Sequence, residues 1–178
     1  MDPTMPYVVD QQSSNQATDS TTFTMNLPTN RPAGDLYVAL IAHDGIITVT
    51  PPAGWIEYAD NDAAGGNTRE HAAYYKIGAD QGGGNESASY NWTGSAAEQW
   101  VGSIVRIKGF DAVNPIACVT VPTCTGRGSS ASAVIPVFPT TTPNTDAALV
   151  IRAAAINEDK PSDYTWLPNG DTKVYSGA

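Results

Sequence analysis

The stretch Arg31 to Tyr58, RPAGDLYVALIAHDGIITVTPPAGWIEY, decides the fold class. It opens on a turn and runs into a long apolar segment, Leu36 to Ala42. A tight loop, a second apolar segment (Ile46 to Thr50), a Pro-Pro-Ala-Gly turn and a third segment opened by Trp55 follow. Pro32 and Pro52 each fix φ and remove an amide donor, and Gly34 and Gly54 accept backbone angles closed to other residues. Short apolar runs punctuated by such turns are the grammar of a β-sheet.

The same pattern continues on both sides. Thr21 to Leu27 alternates, with Phe23, Met25 and Leu27 on one face, and His71 to Ile77 predicts a further strand. In Ser87 to Thr93, Ala88, Tyr90 and Trp92 alternate with polar residues, as in a sheet with one wet face. Trp100 to Lys108 sets Trp100, Gly102, Ile104, Arg106 and Lys108 against Val101, Ser103, Val105 and Ile107. Both of its faces are partly apolar, which predicts a central strand. Ile116 to Val121, Ser132 to Phe138 (at an edge or bulge because of Pro136) and Ala147 to Ile156 complete the predicted strands. The expected fold is all-β, an antiparallel β-sandwich.

With 178 residues, 41% of them hydrophobic, the chain is long enough for one domain with a full core. The expected division is an extended N-terminal arm over residues 1–20 and a single sandwich domain over residues 21–178. The arm is polar apart from Tyr7, Val8 and Val9, and that cluster implies that it is tied down on its own domain or on a neighbour. A partial repeat relates Asp35 to Gly54 to Asp146 to Gly170. The first copy continues through further strands, whereas the second stops at Ala178, so the unfinished second copy is expected to meet a partner.

The net charge is −9, and the nine Lys and Arg residues form no cluster able to neutralise a run of phosphates, so nucleic-acid binding is not expected. No apolar run is long enough to span a bilayer, and no basic-then-apolar leader opens the chain, so neither a membrane partner nor export through its own signal is expected. Cys118 and Cys124, in CVTVPTC, lack neighbouring histidines and make a poor zinc site; they could close a small hairpin disulfide in an oxidising setting or stay reduced in a cytosol.

The residues for catalysis are sparse. His43 and His71 are the two histidines, and neither falls in a metal, nucleophile or general-base motif. The loop Asp60 to Asn67 lacks the oxygen spacing of an EF-hand, and Gly82-Gly83-Gly84 lacks the Lys-Ser/Thr pair of a phosphate cradle. No enzyme activity, metal or cofactor is expected. Aromatic residues, Trp55 and Trp92 above all, offer an alternative function as a stacking platform for sugar rings, although Trp and Tyr at alternating positions are mostly ordinary core.

Four segments together, Arg31-Pro-Ala-Gly-Asp-Leu-Tyr-Val-Ala-Leu-Ile41, Thr50-Pro-Pro-Ala-Gly-Trp55, Ala73-Tyr-Tyr-Lys76 and Ser103-Ile-Val-Arg-Ile-Lys-Gly109, resemble jelly-roll-like β-sandwich structural proteins of tailed bacteriophages. The resemblance spans about Phe23 to Tyr175 and rests on the order of strands and turns. It implies a virion structural protein, a capsid cement or decoration protein or a tail-associated one, assembled in the host cytoplasm. The expected partners are the major capsid protein or another virion protein, and further copies in a homo-oligomer. Tyr7, Val8, Val9, Val174 and Tyr175 are the expected partner contacts. The alternative is a glycan-binding module of a tail or fibre.

Overall fold

A computed structural model describes residues 5–45, 47–61, 69–116, 149 and 151. Six strands follow one another without a helix among the described residues: β1 (Tyr7–Asn26), β2 (Leu36–Asp44), β3 (Val49–Thr50), β4 (Ile56–Asn61), β5 (Arg69–Ile77) and β6 (Ser89–Lys108). All pair antiparallel in one sheet of order β1-β6-β2-β5-β4, with β3 against the early part of β6. The fold is all-β and antiparallel. A jelly roll is a particular connectivity of more strands than these, and the segments expected to supply them lie outside the described residues, apart from Ile116, Leu149 and Ile151.

β1 and β6, each of 20 residues, form a ribbon whose register runs from Tyr7 opposite Lys108 to Asn26 opposite Ser89. Two strands were expected where β6 is continuous. The 94–99 stretch between the two expected strands bends without leaving the sheet. The register shifts on either side of Ser20 mark the same bend in β1. The boundary expected after residue 20 is therefore no break: β1 passes through it, because β6 supplies a ladder on both sides. Residues 7–20 pair along β6 of the same chain.

The bend folds the far end of the ribbon over the sheet. Tyr37, Ala39 and Ile41 of β2, Ala72 and Tyr74 of β5 and Ile104 of β6 face Phe23, Met25, Leu27 and Trp92 across a buried core. Phe23 stacks on Trp100 with ring centroids 5.7 Å apart. Each such side chain, fully buried, contributes about 1.5–3 kcal/mol. Gly102 makes the approach possible, since a Cβ there would lie 2.7 Å from Met25 Cε and 3.0 Å from the Leu40 carbonyl oxygen.

The alternate residues of the same strands build a second apolar cluster on the opposite face. Leu36, Val38, Val105 and Ile107 are buried there, with Val8, Tyr58, Tyr75, Phe110, Leu149 and Ile151 packed against them. The opening stretch thus feeds both faces through β2, and β6 lies between β1 and β2 as a strand apolar on two sides must. Its second expected strand shrinks to Val49–Thr50, because Ile47 leaves the ladder to bury its side chain in the first core. The turn before β4 closes with the Trp55 amide donating to the Pro52 carbonyl at 3.2 Å. Gly54, at φ +84°, supplies the positive angle that a type II turn requires at its third residue.

Candidate functional site

The expected contact segment lies at the start of β1, an end strand of the sheet among the described residues. Met5, Tyr7 and Val9 are 64%, 53% and 37% exposed, while Val8 between them packs on the second cluster. Alternation along an extended chain accounts for this split. A register shift between Val8 and Asp10 then moves Val9 out of the ladder. Met5 and Tyr7 thus stand largely in solvent at one corner of the sheet, with Val9 partly exposed beside them. Val174 and Tyr175, expected with them, lie outside the described residues, as do Cys118 and Cys124.

Beyond the shift, Asp10 meets Arg106. Arg106 is 2% exposed. It donates from Nε to Asp10 Oδ1 at 2.8 Å, from Nη2 to Asp10 Oδ2 at 2.9 Å and from Nη1 to Asp35 Oδ2 at 2.9 Å. Lys108 Nζ stands 3.9 Å from the same Asp35 oxygen. The two-pronged fork to Asp10 gives direction as well as strength. Hydrogen bonding to Asp10 holds the Arg106 pKa above its ordinary value, against the desolvation that lowers it. The cluster joins β1, β6 and Asp35, the residue that precedes β2.

A second buried polar group lies nearby. Lys76 Nζ is 3.3 Å from Glu86 Oε2 and donates to the Tyr90 hydroxyl at 2.5 Å, and that hydroxyl donates to Glu86 Oε1. The Ala79 and Ser87 amides donate to Glu86 at 2.7 Å each. Desolvation raises the carboxyl pKa, but the bonds from Tyr90, Ala79 and Ser87 and the charge of Lys76 outweigh it, and the net shift is downward. Burial and the bond to Glu86 push the Tyr90 hydroxyl up. With its oxygens so engaged, Glu86 holds the 79–87 loop together.

The two tryptophans proposed as a sugar platform are core residues. Trp92 is 0% and Trp55 5% exposed, and they meet edge to face at 5.1 Å, with Tyr90 against both. A stacking platform needs an open ring face, and neither ring has one in this fold. Their indole Nε1 atoms are buried without a hydrogen-bond partner. His43 is also buried, its Nδ1 3.2 Å from the Gly45 carbonyl and its ring 5.2 Å from Trp100, while burial lowers the His71 pKa. Among the described residues no three His, Cys, Asp or Glu side chains are placed to hold a metal ion.

Sequence reasoning did not single out Met5, nor the pairings of Arg106 with Asp10 and Asp35 or of Lys76 with Glu86. A signal was present for the cations. Arg106 is in phase with Trp100 and Ile104, and Lys76 with Ala72 and Tyr74, so each puts a charge on a core-facing position, where a partner is obligatory. No family model, no curated protein and no solved structure matches the chain.

Proposed function

We propose that the protein is a structural component of a bacteriophage virion, a capsid cement or decoration protein that stabilises an assembled shell by burying surface against neighbouring subunits. The observation that carries this reading is the exposed apolar corner of Met5, Tyr7 and Val9 on an end strand of the sheet. Apolar side chains grouped in solvent mark contact sites more often than solitary ones do. The net charge of −9 supports the same reading, because it disfavours nonspecific association and favours a basic partner surface. Binding to the assembled state alone would stabilise it by mass action.

Cosedimentation with shells prepared without the protein tests the reading. The wild type is expected to pellet with the shells, and a Tyr7→Ser/Val9→Ser variant, folded to the same stability, is expected to remain in the supernatant. A folded protein that ignores shells and instead binds polysaccharide would sink the proposal.

A further inference from the structure

We infer that residues 5–16 form an exchangeable strand, able to leave the β6 edge of their own copy and occupy the same edge of a second copy. Three observations converge on it. The first is the uneven anchorage of β1. Phe23 and Met25 are buried in the core, whereas from Tyr7 to Ser20 no side chain is fully buried. That outer half, YVVDQQSSNQATDS, is held by its ladder to β6, by half-buried Val8, by the Asp10–Arg106 fork and by polar side chains, Gln11, Ser13 and Asn15 among them having partners of their own.

The second is a pivot. The register shifts on both sides of Ser20, and Ala17, Thr18 and Asp19 are exposed between the last ladder pair of the outer half, Gln16 with Trp100, and Ser20 with Glu98. The Trp100 indole donates to the Ser20 carbonyl at 2.8 Å. This bond keeps the inner half in place when the outer half swings about residues 17–19. The third is what departure uncovers: the edge of β6 from Trp100 to Lys108, whose other edge is paired with β2 and which carries apolar side chains on both faces.

The occupant follows from the geometry, since an edge that accepts residues 7–16 of its own chain accepts the identical residues of another copy with every pair preserved. Asp10 would again accept the fork from Arg106, in the neighbour. The fork therefore sets the rate of exchange and leaves the closed and exchanged forms equally bonded. Their balance is left to the conformation of residues 17–19 and to concentration, which is high where copies are arrayed on a shell. The inference rests on the assembly role proposed above only for that high local concentration of copies.

Cross-linking of the full chain tests it. Ser13 lies opposite Ser103, and Tyr7 opposite Lys108. Directly opposed residues in an antiparallel pair have Cα atoms about 4.5–5.5 Å apart, within disulfide range. S13C protein is mixed with S103C protein, and Y7C with K108C, under mild oxidation. Links are assigned by the masses of proteolytic fragments, which separates them from any involving Cys118 or Cys124. Because each mixed variant carries one member of the pair, a link between positions 13 and 103, or 7 and 108, forms only across chains.

The expected result is such a link, appearing roughly tenfold faster or more when Asp10→Asn is added, the factor that corresponds to weakening a charge-assisted hydrogen bond. The proposal is overturned if neither mixture links while S13C/S103C or Y7C/K108C in a single chain closes. It is equally overturned if neither single-chain pair closes, because the β1–β6 register on which it stands would then be absent. Cross-chain linking with no binding to shells would leave strand exchange standing and remove the virion reading alone.

Discussion

Replacing Arg106 with Met removes the group on which β1, β2 and β6 converge and leaves Asp10 and Asp35 without their shared cation. The three hydrogen bonds lost are short, at 2.8, 2.9 and 2.9 Å, and Arg106 and Asp35 are mostly buried, with side chains 3% and 11% exposed. Breaking a buried ion pair from one side costs about 3–5 kcal/mol, because the surviving charge keeps its desolvation penalty without its partner. Asp10 is 34% exposed and rehydrates in part, and Lys108, 3.9 Å from Asp35 Oδ2, partly compensates the charge left on Asp35, which argues for the lower end, about 3 kcal/mol. With a urea dependence of about 2 kcal/mol per molar, the unfolding midpoint should fall by about 1.5 M. Amide hydrogen exchange adds the spatial test: protection should drop over residues 7–16 and hold over residues 22–26, whose Phe23 and Met25 remain buried. Adding Asp10→Asn and Asp35→Asn to Arg106→Met should recover much of the loss, since the uncompensated charges are then gone. A midpoint within about 0.3 M of wild type for Arg106→Met, or a uniform loss of protection along β1, would refute the assignment of this cluster as the anchor of the outer half.

Glu86 gives a pH dependence of known sign. Its pKa in the folded protein lies below the ordinary value of 4.5, so its contribution is full above that value and is lost as pH falls through the depressed one. Urea midpoints should decline on acidification below about pH 4.5, and Glu86→Gln should flatten that part of the profile; an unchanged slope would remove Glu86 as the cause. Gly102→Val should cost about 1–3 kcal/mol by driving a side chain into Met25 and the Leu40 carbonyl, lowering the melting temperature by about 5 °C, with partial relief from Met25→Ala. Trp92→Ala should cost about 3–5 kcal/mol, whereas Trp92→Phe, which discards an indole N–H that has no acceptor, should cost much less. Equal losses in urea titrations of the two Trp92 variants would show that the N–H is satisfied after all.

Local chemistry made much of the sheet legible. Alternation in Thr21 to Leu27 identified the face that Phe23 and Met25 bury, and the two-sided apolar pattern of Trp100 to Lys108 identified the strand that lies between neighbours. The Pro-Pro-Ala-Gly turn and the β2 and β5 strands followed from proline and glycine placement and β-branched or aromatic content. What stayed hidden depends on residues far apart in the chain. Phe23 pairs with Trp92, and no local pattern states that partner or the bend that folds both over the sheet. The tryptophans looked equally suited to a wet aromatic surface and to a core, because alternation assigns a face without saying which face is covered. At the candidate site, Tyr7 to Val9 stood out as an apolar island in a polar segment, but the fork from Arg106 to Asp10 joins residues 96 apart.

That separation has a consequence during synthesis. At about 5–20 residues per second, Asp10 leaves the ribosome several seconds or more before Arg106 exists, so β1 is made well before the strand it pairs with. Until β6 emerges, residues 7–20 must survive as an unpaired strand in a crowded cell, and a hydrophobic segment left waiting in that way would recruit other nascent chains. The run of Gln, Ser, Asn and Thr between Val9 and Thr22 is suited to the delay. It keeps the nascent segment hydrated until its template is available, and places the burial that commits the ribbon, at Phe23 and Met25, beside the end of β6 that is translated first.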